Sequence, residues 1–184
     1  PIMGRNYEIG WKGEWNEGRL NTSVALYRTD KDNNNQRVNA RPHAYWEPLD
    51  QSSRGLDAEI SGSLTDRWQV YAGYTFNRST NRNSVGDNVE SRRKGYNFSS
   101  HTPKHMFRLY TSYILPVDDG KWTVGLGLKS SSKTANFYGS IKQGGYTIWN
   151  TNVQYRPSKN LQLGLAVNNL TDKRYYENQY SRAA

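Results

Sequence analysis

Cysteine is absent from this chain, which removes disulfide scaffolds, thiol catalysis and cysteine-type zinc sites. Histidine is scarce: His43, His101 and His105 are the only three. His101 and His105 stand four residues apart, a spacing that could hold zinc on a helix. At the start of a strand it spans about 13 Å, so no metal site is expected. Apolar residues are also few, at 34%, with a mean hydropathy of −0.97. No apolar run approaches the ~18 residues that suggest a membrane helix. Nor is there an apolar leader at Pro1-Ile2-Met3-Gly4-Arg5. The chain therefore reads as a piece of a larger mature protein.

What is present points elsewhere than disorder. Aromatic residues reach 13%, with 14 Tyr and 6 Trp, and disordered chains are poor in them. A membrane β-barrel reconciles low average hydropathy with many aromatics. Its lipid face uses every second residue, and its lumen and loops are polar. The net charge is +9, a value that often marks nucleic-acid binding. Here the basic residues are scattered through expected loops (Lys31, Arg37, Arg41, Arg92, Arg93, Lys94) and short turns (Arg19, Arg67, Lys121, Lys159). No nucleic-acid partner is expected. Attraction to the lipopolysaccharide of an outer membrane, or to an anionic ligand, is.

Period-two alternation recurs eight times along the chain. Tyr7, Ile9, Trp11 and Trp15 alternate with Glu8, Gly10, Lys12 and Glu14. Trp68, Val70, Ala72, Tyr74 and Phe76 alternate with Gln69, Tyr71, Gly73 and Thr75. The remaining segments start near Leu20, Leu56, Phe107, Trp122, Trp149 and Leu161. Short turns follow 16–19, 65–67, 116–121 and 157–160, and long connections run over roughly 30–53, 78–103 and 134–145. Short turns at one end and long loops at the other are the mark of an outer-membrane barrel. A strand of about ten residues tilted near 45° covers roughly 23 Å, the height of the apolar band. Trp15, Trp68, Trp122 and Tyr155 all sit beside short turns, where an aromatic girdle is expected. The opposite face carries Glu8, Lys12, Glu14, Asp57, Glu59, Gln69, Arg108, Gln154 and Arg156. Those charges suit a wide aqueous lumen or a polar plug better than a small closed interior. The fold class expected is all-β, an antiparallel transmembrane β-barrel.

Chemistry-bearing constellations are few. Asp57 and Glu59 lie about 7 Å apart on one strand face, a spacing that any polar strand face produces. No phosphate loop, Gly-x-Ser-x-Gly or nucleophile with an evident base is present, so neither an enzyme nor a resident cofactor is expected. The segment Arg41-Pro42-His43-Ala44-Tyr45-Trp46 puts a cation beside two aromatics in a long connection. Such rings can stack on a ligand, and arginine can pair with its anionic oxygens. Arg41, Tyr45 and Trp46 are therefore candidate ligand-binding residues, joined by Tyr138 from Asn136-Phe137-Tyr138. Arg92-Arg93-Lys94 is a weaker candidate. An ordinary loop packing on itself would have the same composition.

Three local patterns carry a resemblance. Asn168-Asn169-Leu170-Thr171-Asp172-Lys173-Arg174-Tyr175-Tyr176 resembles the "NNLFDKRYY" signature near the C-terminus of TonB-dependent outer-membrane receptors, with Thr171 where Phe is usual. Tyr7-Glu8-Ile9-Gly10-Trp11-Lys12 resembles the "YEIGxK" strand, and Ser53-Arg54-Gly55-Leu56-Asp57-Ala58-Glu59-Ile60-Ser61-Gly62 the "SRGxExExxG" strand. The nearest branch is that of hydroxamate, coprogen or pyoverdine-type ferric-siderophore receptors. The resemblance implies that residues 1–184 supply about eight consecutive strands of a 22-stranded barrel. It also implies a plug domain, a TonB-contacting segment and a final strand outside this chain. It further implies an outer membrane of a Gram-negative bacterium, a ferric siderophore as transported ligand, and TonB as partner through the missing N-terminal region. Two other readings remain at this point. One is a self-contained eight-stranded outer-membrane barrel with an adhesin or structural role. The other is a soluble eight-stranded ligand carrier with its apolar residues inside.

Overall fold

The alternation becomes a single antiparallel meander. A computed structural model describes residues 1–39, 43–86, 89–136 and 139–176. Its strands are β1 (Met3–Trp15), β2 (Leu20–Val38), β3 (Tyr45–Thr65), β4 (Trp68–Asn81), β5 (His105–Ile114), β6 (Trp122–Ser131), β7 (Thr134–Ala135), β8 (Lys142–Gln143), β9 (Tyr146–Ser158) and β10 (Leu161–Val167). Eight of them form one sheet in the order β1-β2-β3-β4-β5-β6-β9-β10, while β7 and β8 make a separate small ribbon. Every neighbour in the large sheet is the next large strand in the chain, so each connection is a hairpin. No helix among the described residues is long and apolar enough to cross a membrane, which leaves crossing by strands open.

The register carries the apolar face unbroken from strand to strand. Ile9 stands opposite Leu26, Leu26 opposite Leu56, and Leu56 opposite Phe76. Ile60 faces Ala72, Ala72 faces Leu109, Leu109 faces Leu128 and Leu128 faces Trp149. The other face pairs polar groups in the same way. Lys12 faces Ser23, Ser23 faces Glu59, and Arg108 faces Lys129. A slip of one residue would mix the two faces on every strand.

Scarcely any of this apolar surface is covered. Among the described residues the buried hydrophobics are only Val38, Leu49, Val85 and Ile148, whereas Ile9 and Leu165 are 72% and 67% exposed. A water-soluble sheet would have to cover such a face, and a bilayer covers it with hydrocarbon. The sheet is also open, with no pairing between β1 and β10 among the described residues. Both findings run against the two alternative readings. A closed eight-stranded barrel needs that pairing, and a soluble carrier needs its apolar side chains inside.

Aromatics gather at the short-turn end as the sequence leads one to expect. Trp122 stacks on Tyr155 with ring centroids 4.3 Å apart, a contact worth about 0.5–1.5 kcal/mol beyond the area it covers. Trp68 meets Tyr113 edge-on at 6.4 Å. The indole N–H groups of Trp15 and Trp68 donate to Thr22 Oγ1 at 2.8 Å and Thr111 Oγ1 at 2.7 Å. Neither donor is thus left unpaired against lipid.

The short turns are built from residues that accept left-handed backbone. Asn16, Glu17 and Gly18 have φ of 55°, 58° and 81° in the first, and Asp118, Asp119 and Gly120 have 49°, 52° and 76° in the third. Asn and Asp take this region more readily than other side chains, and Gly takes it freely. Asp118 accepts from Lys121 Nζ at 3.0 Å. That contact holds the Asp118 carboxyl below the usual range, outside the spanning segments. An Arg19–Asp66 ion pair links the first turn to the second.

One expectation needs correction. Most of the connection expected over 30–53 is strand. β2 and β3 run for 19 and 21 residues, and their pairing continues to Val38 opposite Tyr45. A bulge between Lys31 and Asn34 interrupts the ladder. The hairpin stands far above the apolar band, where both faces meet water. Alternation of hydropathy is lost there although the strand persists.

Candidate extracellular rim and ligand site

At the long-loop end three segments meet. The first is the tall β2–β3 hairpin. The second, 82–104, folds back as a strap over the hairpin face that carries Leu49, a residue sharing the alternation of Asp57 and Glu59. Val38, Leu49 and Val85 form its only apolar cluster among the described residues. Polar contacts do the rest. Arg82 N donates to the Asp50 carbonyl at 2.7 Å, and Asp50 N to Asn83 Oδ1 at 2.8 Å. Asn83 Nδ2 reaches the Pro48 carbonyl at 2.9 Å. Gly86 N donates to Glu47 Oε2 at 2.9 Å, and Arg92 to the Arg37 carbonyl at 2.9 Å. Buried Asn81 exchanges backbone bonds with Tyr96 and Gly95 at 3.0 and 2.9 Å. The third segment carries β7 and β8, and is tied to the strap by Ala135 N donating to the Ser100 carbonyl at 2.9 Å.

The signature Asn168–Tyr176 closes the rim. Leu170 N donates to the Trp149 carbonyl at 2.8 Å. Asn169 N donates to Asn150 Oδ1 at 2.9 Å. Its own side chain accepts from Lys173 N at 2.9 Å and donates to the Lys173 carbonyl at 3.1 Å. Asn169 thus holds a five-residue loop from both sides, at a φ of 53° that asparagine accepts. Tyr175 then stacks on Tyr146 at 4.6 Å.

The candidate residues divide. Tyr45 and Trp46 lie at the start of β3 and are 44% and 66% exposed. Being adjacent on a strand, they point to opposite faces of the hairpin. Tyr45 shares the alternation of Glu47 and Leu49, the face under the strap, and Trp46 points away from it. The two rings do not converge on one ligand. Arg41 and Tyr138 lie outside the described residues. Arg92 is occupied by the hairpin backbone, whereas Arg93 and Lys94 are exposed. His105 Nδ1 lies 2.8 Å from the Tyr74 hydroxyl, and its ring packs on Phe76 at 5.0 Å. No group of metal-ligating side chains occurs among the described residues.

Two charged features went unread in the sequence. Asp32 pairs with both Arg5 and Arg82, the latter at 2.8 Å. Arg28, Arg54 and Arg78 form one register row on the outer face. Its signal was legible, since each arginine stands two residues beyond the last apolar position of its strand: Leu26, Leu56 and Phe76. Asp30 beside this row is buried. The Ser52 hydroxyl first, and Arg28 after it, hold its carboxyl below the usual range against the opposing effect of burial. A carboxyl lowered on folding adds stability that is present above its unfolded pKa of about 3.9 and lost as pH falls through the lower folded value. Hydrogen exchange of the 30–52 hairpin amides, corrected for intrinsic rate, is expected to show equal protection at pH 7 and 5. Protection should fall below about pH 4. Equal protection at pH 3 would sink this assignment.

The glycine of Ser53-Arg54-Gly55 has a local reason. Gly55 stands opposite Tyr27, whose ring lies against it so closely that a Cβ there would meet the hydroxyl and the Phe76 carbonyl. The bare backbone lets the Tyr27 ring lie flat on the lumenal face.

With this geometry in view, the likeness to known proteins is specific. Residues 1–170 match the family described as TonB dependent receptor-like, beta-barrel. The chain belongs to that family. It is 34% identical to the ferric-pyoverdine 358 receptor of Pseudomonas putida over 96% of this chain and 21% of that protein. To the ferripyoverdine receptor of Pseudomonas aeruginosa it is 33% identical, over 97% of this chain and 22% of that protein. The crystal structure of the ferripyoverdine receptor of the outer membrane of Pseudomonas aeruginosa bound to ferripyoverdine superposes with a TM-score of 0.78 at 32% identity, covering 97% of this chain and 24% of that one. The structure of the FpvAI–pyocin S2 complex superposes with a TM-score of 0.77 at 31% identity, covering 95% of this chain and 23% of that one. The chain thus spans about a fifth of the length of the curated relatives it matches. The all-β barrel class expected from the sequence agrees with these matches, and of the expected hydroxamate, coprogen or pyoverdine-type receptors it is the pyoverdine type that these relatives represent.

Proposed function

We propose that the protein containing this chain is an outer-membrane receptor of a Gram-negative bacterium that binds a ferric siderophore at the cell surface. Import of the ligand would draw on energy delivered by TonB through a region outside this chain. In this reading residues 1–184 are a C-terminal portion of the barrel, completed by a plug domain and a last strand. The observation that carries it is the family match over residues 1–170 on a sheet whose apolar face is continuous and uncovered. The relatives named for ferric pyoverdine make that chelate the first ligand to test. Arg41, Tyr45, Trp46 and Tyr138 are proposed as its contacts, with unequal roles. Tyr45 shares the face under the strap, and Trp46 points away.

The full-length protein should be titrated with ferric pyoverdine by quenching of intrinsic fluorescence. Tyr45→Ala is expected to weaken binding roughly tenfold, the scale of a buried aromatic contact of about 1–2 kcal/mol. Trp46→Ala should change it less than about threefold. Absence of binding to ferric pyoverdine and to ferric catecholates alike would remove the siderophore reading. Equal effects of the two variants would remove the facing assigned to them.

A further inference from the structure

Within the strap, residues 89–96 fold into consecutive tight turns. Arg92 N donates to the Val89 carbonyl at 2.9 Å, Arg93 N to the Glu90 carbonyl at 3.1 Å and Tyr96 N to the Arg93 carbonyl at 3.1 Å. Gly95 takes the third position of the last turn with a φ of 84°, the left-handed value that a type II turn requires there. Asn81, 2% exposed, braces the segment from behind. Its side-chain amide donates to the Ser91 carbonyl at 2.9 Å and to the Arg93 carbonyl at 3.3 Å. Lys94 N donates to Ser84 Oγ at 2.9 Å. With Gly95 N on the Asn81 carbonyl, every backbone N–H from Arg92 to Tyr96 is taken.

What this braced turn leaves to solvent is two side chains. Arg93 and Lys94 are both exposed. Neither has a carboxylate partner among the described residues, and Glu90 in the same segment pairs with neither. Arg92 differs, because the Arg37 carbonyl holds its guanidinium. Adjacent cations repel, yet the backbone keeps these two together without help from their side chains. The strap covers the lumenal face of the β2–β3 hairpin, so the side that it leaves exposed is turned to the mouth of the barrel. Cations fixed there raise the local concentration of an anion and act on its rate of encounter more than on its retention. Tyr45 stands on the hairpin face behind the strap, where a ring acts mainly on dissociation.

We propose that Arg93 and Lys94 form a charge-selective capture site for negatively charged ferric chelates, which meet these cations first and pass from them to Tyr45. This rests on the siderophore reading and adds a division of labour to it. The strap sets how fast the chelate arrives, and the ring sets how long it stays.

The full-length receptor in detergent would be mixed with ferric pyoverdine in a stopped-flow instrument, and the quenching of its fluorescence followed in time. Arg93→Gln with Lys94→Gln is expected to slow association about five- to tenfold at low salt and to leave dissociation within about twofold. Raising the salt from about 0.01 M to 1 M shortens the Debye length from about 30 Å to 3 Å. That change should slow association of the unaltered protein by a similar factor and scarcely affect the variant. Arg93→Lys with Lys94→Arg exchanges the shapes, keeps both charges and should keep the rate. Tyr45→Ala should hasten dissociation with association unchanged. Heat-resistant gel mobility verifies that each variant is a folded barrel. Unchanged association in the glutamine variant would overturn the proposal, and so would equal slowing in the exchange variant. Either result beside normal binding by the unaltered protein removes the capture site alone. Failure of the unaltered protein to bind ferric pyoverdine or ferric catecholates removes the siderophore reading and the capture site together.

Discussion

Gly62→Ala is expected to destabilise the barrel by about 3 kcal/mol or more. Gly62 has a φ of 134°, a region that side chains strongly resist, and a Cβ there would fall on the Arg19 carbonyl oxygen. That oxygen accepts from Ser63 N at 2.8 Å, the bond that locks the lower end of β3 onto the first turn. The register shift between Ser63 and Thr65 on the β4 side follows immediately. Alanine must push the two backbones apart at the point where β2 and β3 enter the membrane together. Urea unfolding of the full-length protein, read by gel mobility, measures the loss. Ser61→Ala on the lumenal face is the control and should stay within about 0.5 kcal/mol. A Gly62→Ala protein as stable as the control would show that the close approach is not needed.

Leu126→Arg should cost about 2–4 kcal/mol, the range for arginine at the midplane of a barrel's lipid face. Leu126 lies between Thr111 and Thr151 in the register, four residues above Trp122, and is 38% exposed on the outer face. The same substitution at Tyr71, on the lumenal face at similar depth, should cost less than about 1 kcal/mol, because that arginine meets water or polar groups. The difference between the two sites is more informative than either value. Equal costs would mean that the apolar face does not meet lipid, and the membrane reading would fall with it.

How much of this was written in the chain depends on depth in the membrane. Within the apolar band the solvent differs on the two faces, and Leu26 against Tyr27 or Leu56 against Asp57 declares which side is which. The strands, their order and their register all follow. Above the band both faces are wet, so Asp30 to Val38 and Tyr45 to Ser53 carry no such mark and read as loop. The same loss affected the site. Read as a loop, Tyr45 and Trp46 could converge on one ligand. As consecutive strand residues they must diverge. The strap was illegible for another reason. Its attachments are backbone groups and polar side chains such as Asn81, Asn83, Arg82 and Arg92, whose partners lie 10 to 55 residues away. No local pattern encodes a partner at that distance.

That mode of attachment has a consequence for how such a rim can change over generations. The strap is fastened mainly through main-chain groups, asparagine side chains and the charged side chains of Glu47, Arg82 and Arg92. Its one apolar cluster among the described residues is Val38, Leu49 and Val85. Side chains elsewhere along the rim can be exchanged without disturbing the wall that presents them. The outer surface can therefore change while the spanning strands stay as they are. The rim is a replaceable face on a fixed wall.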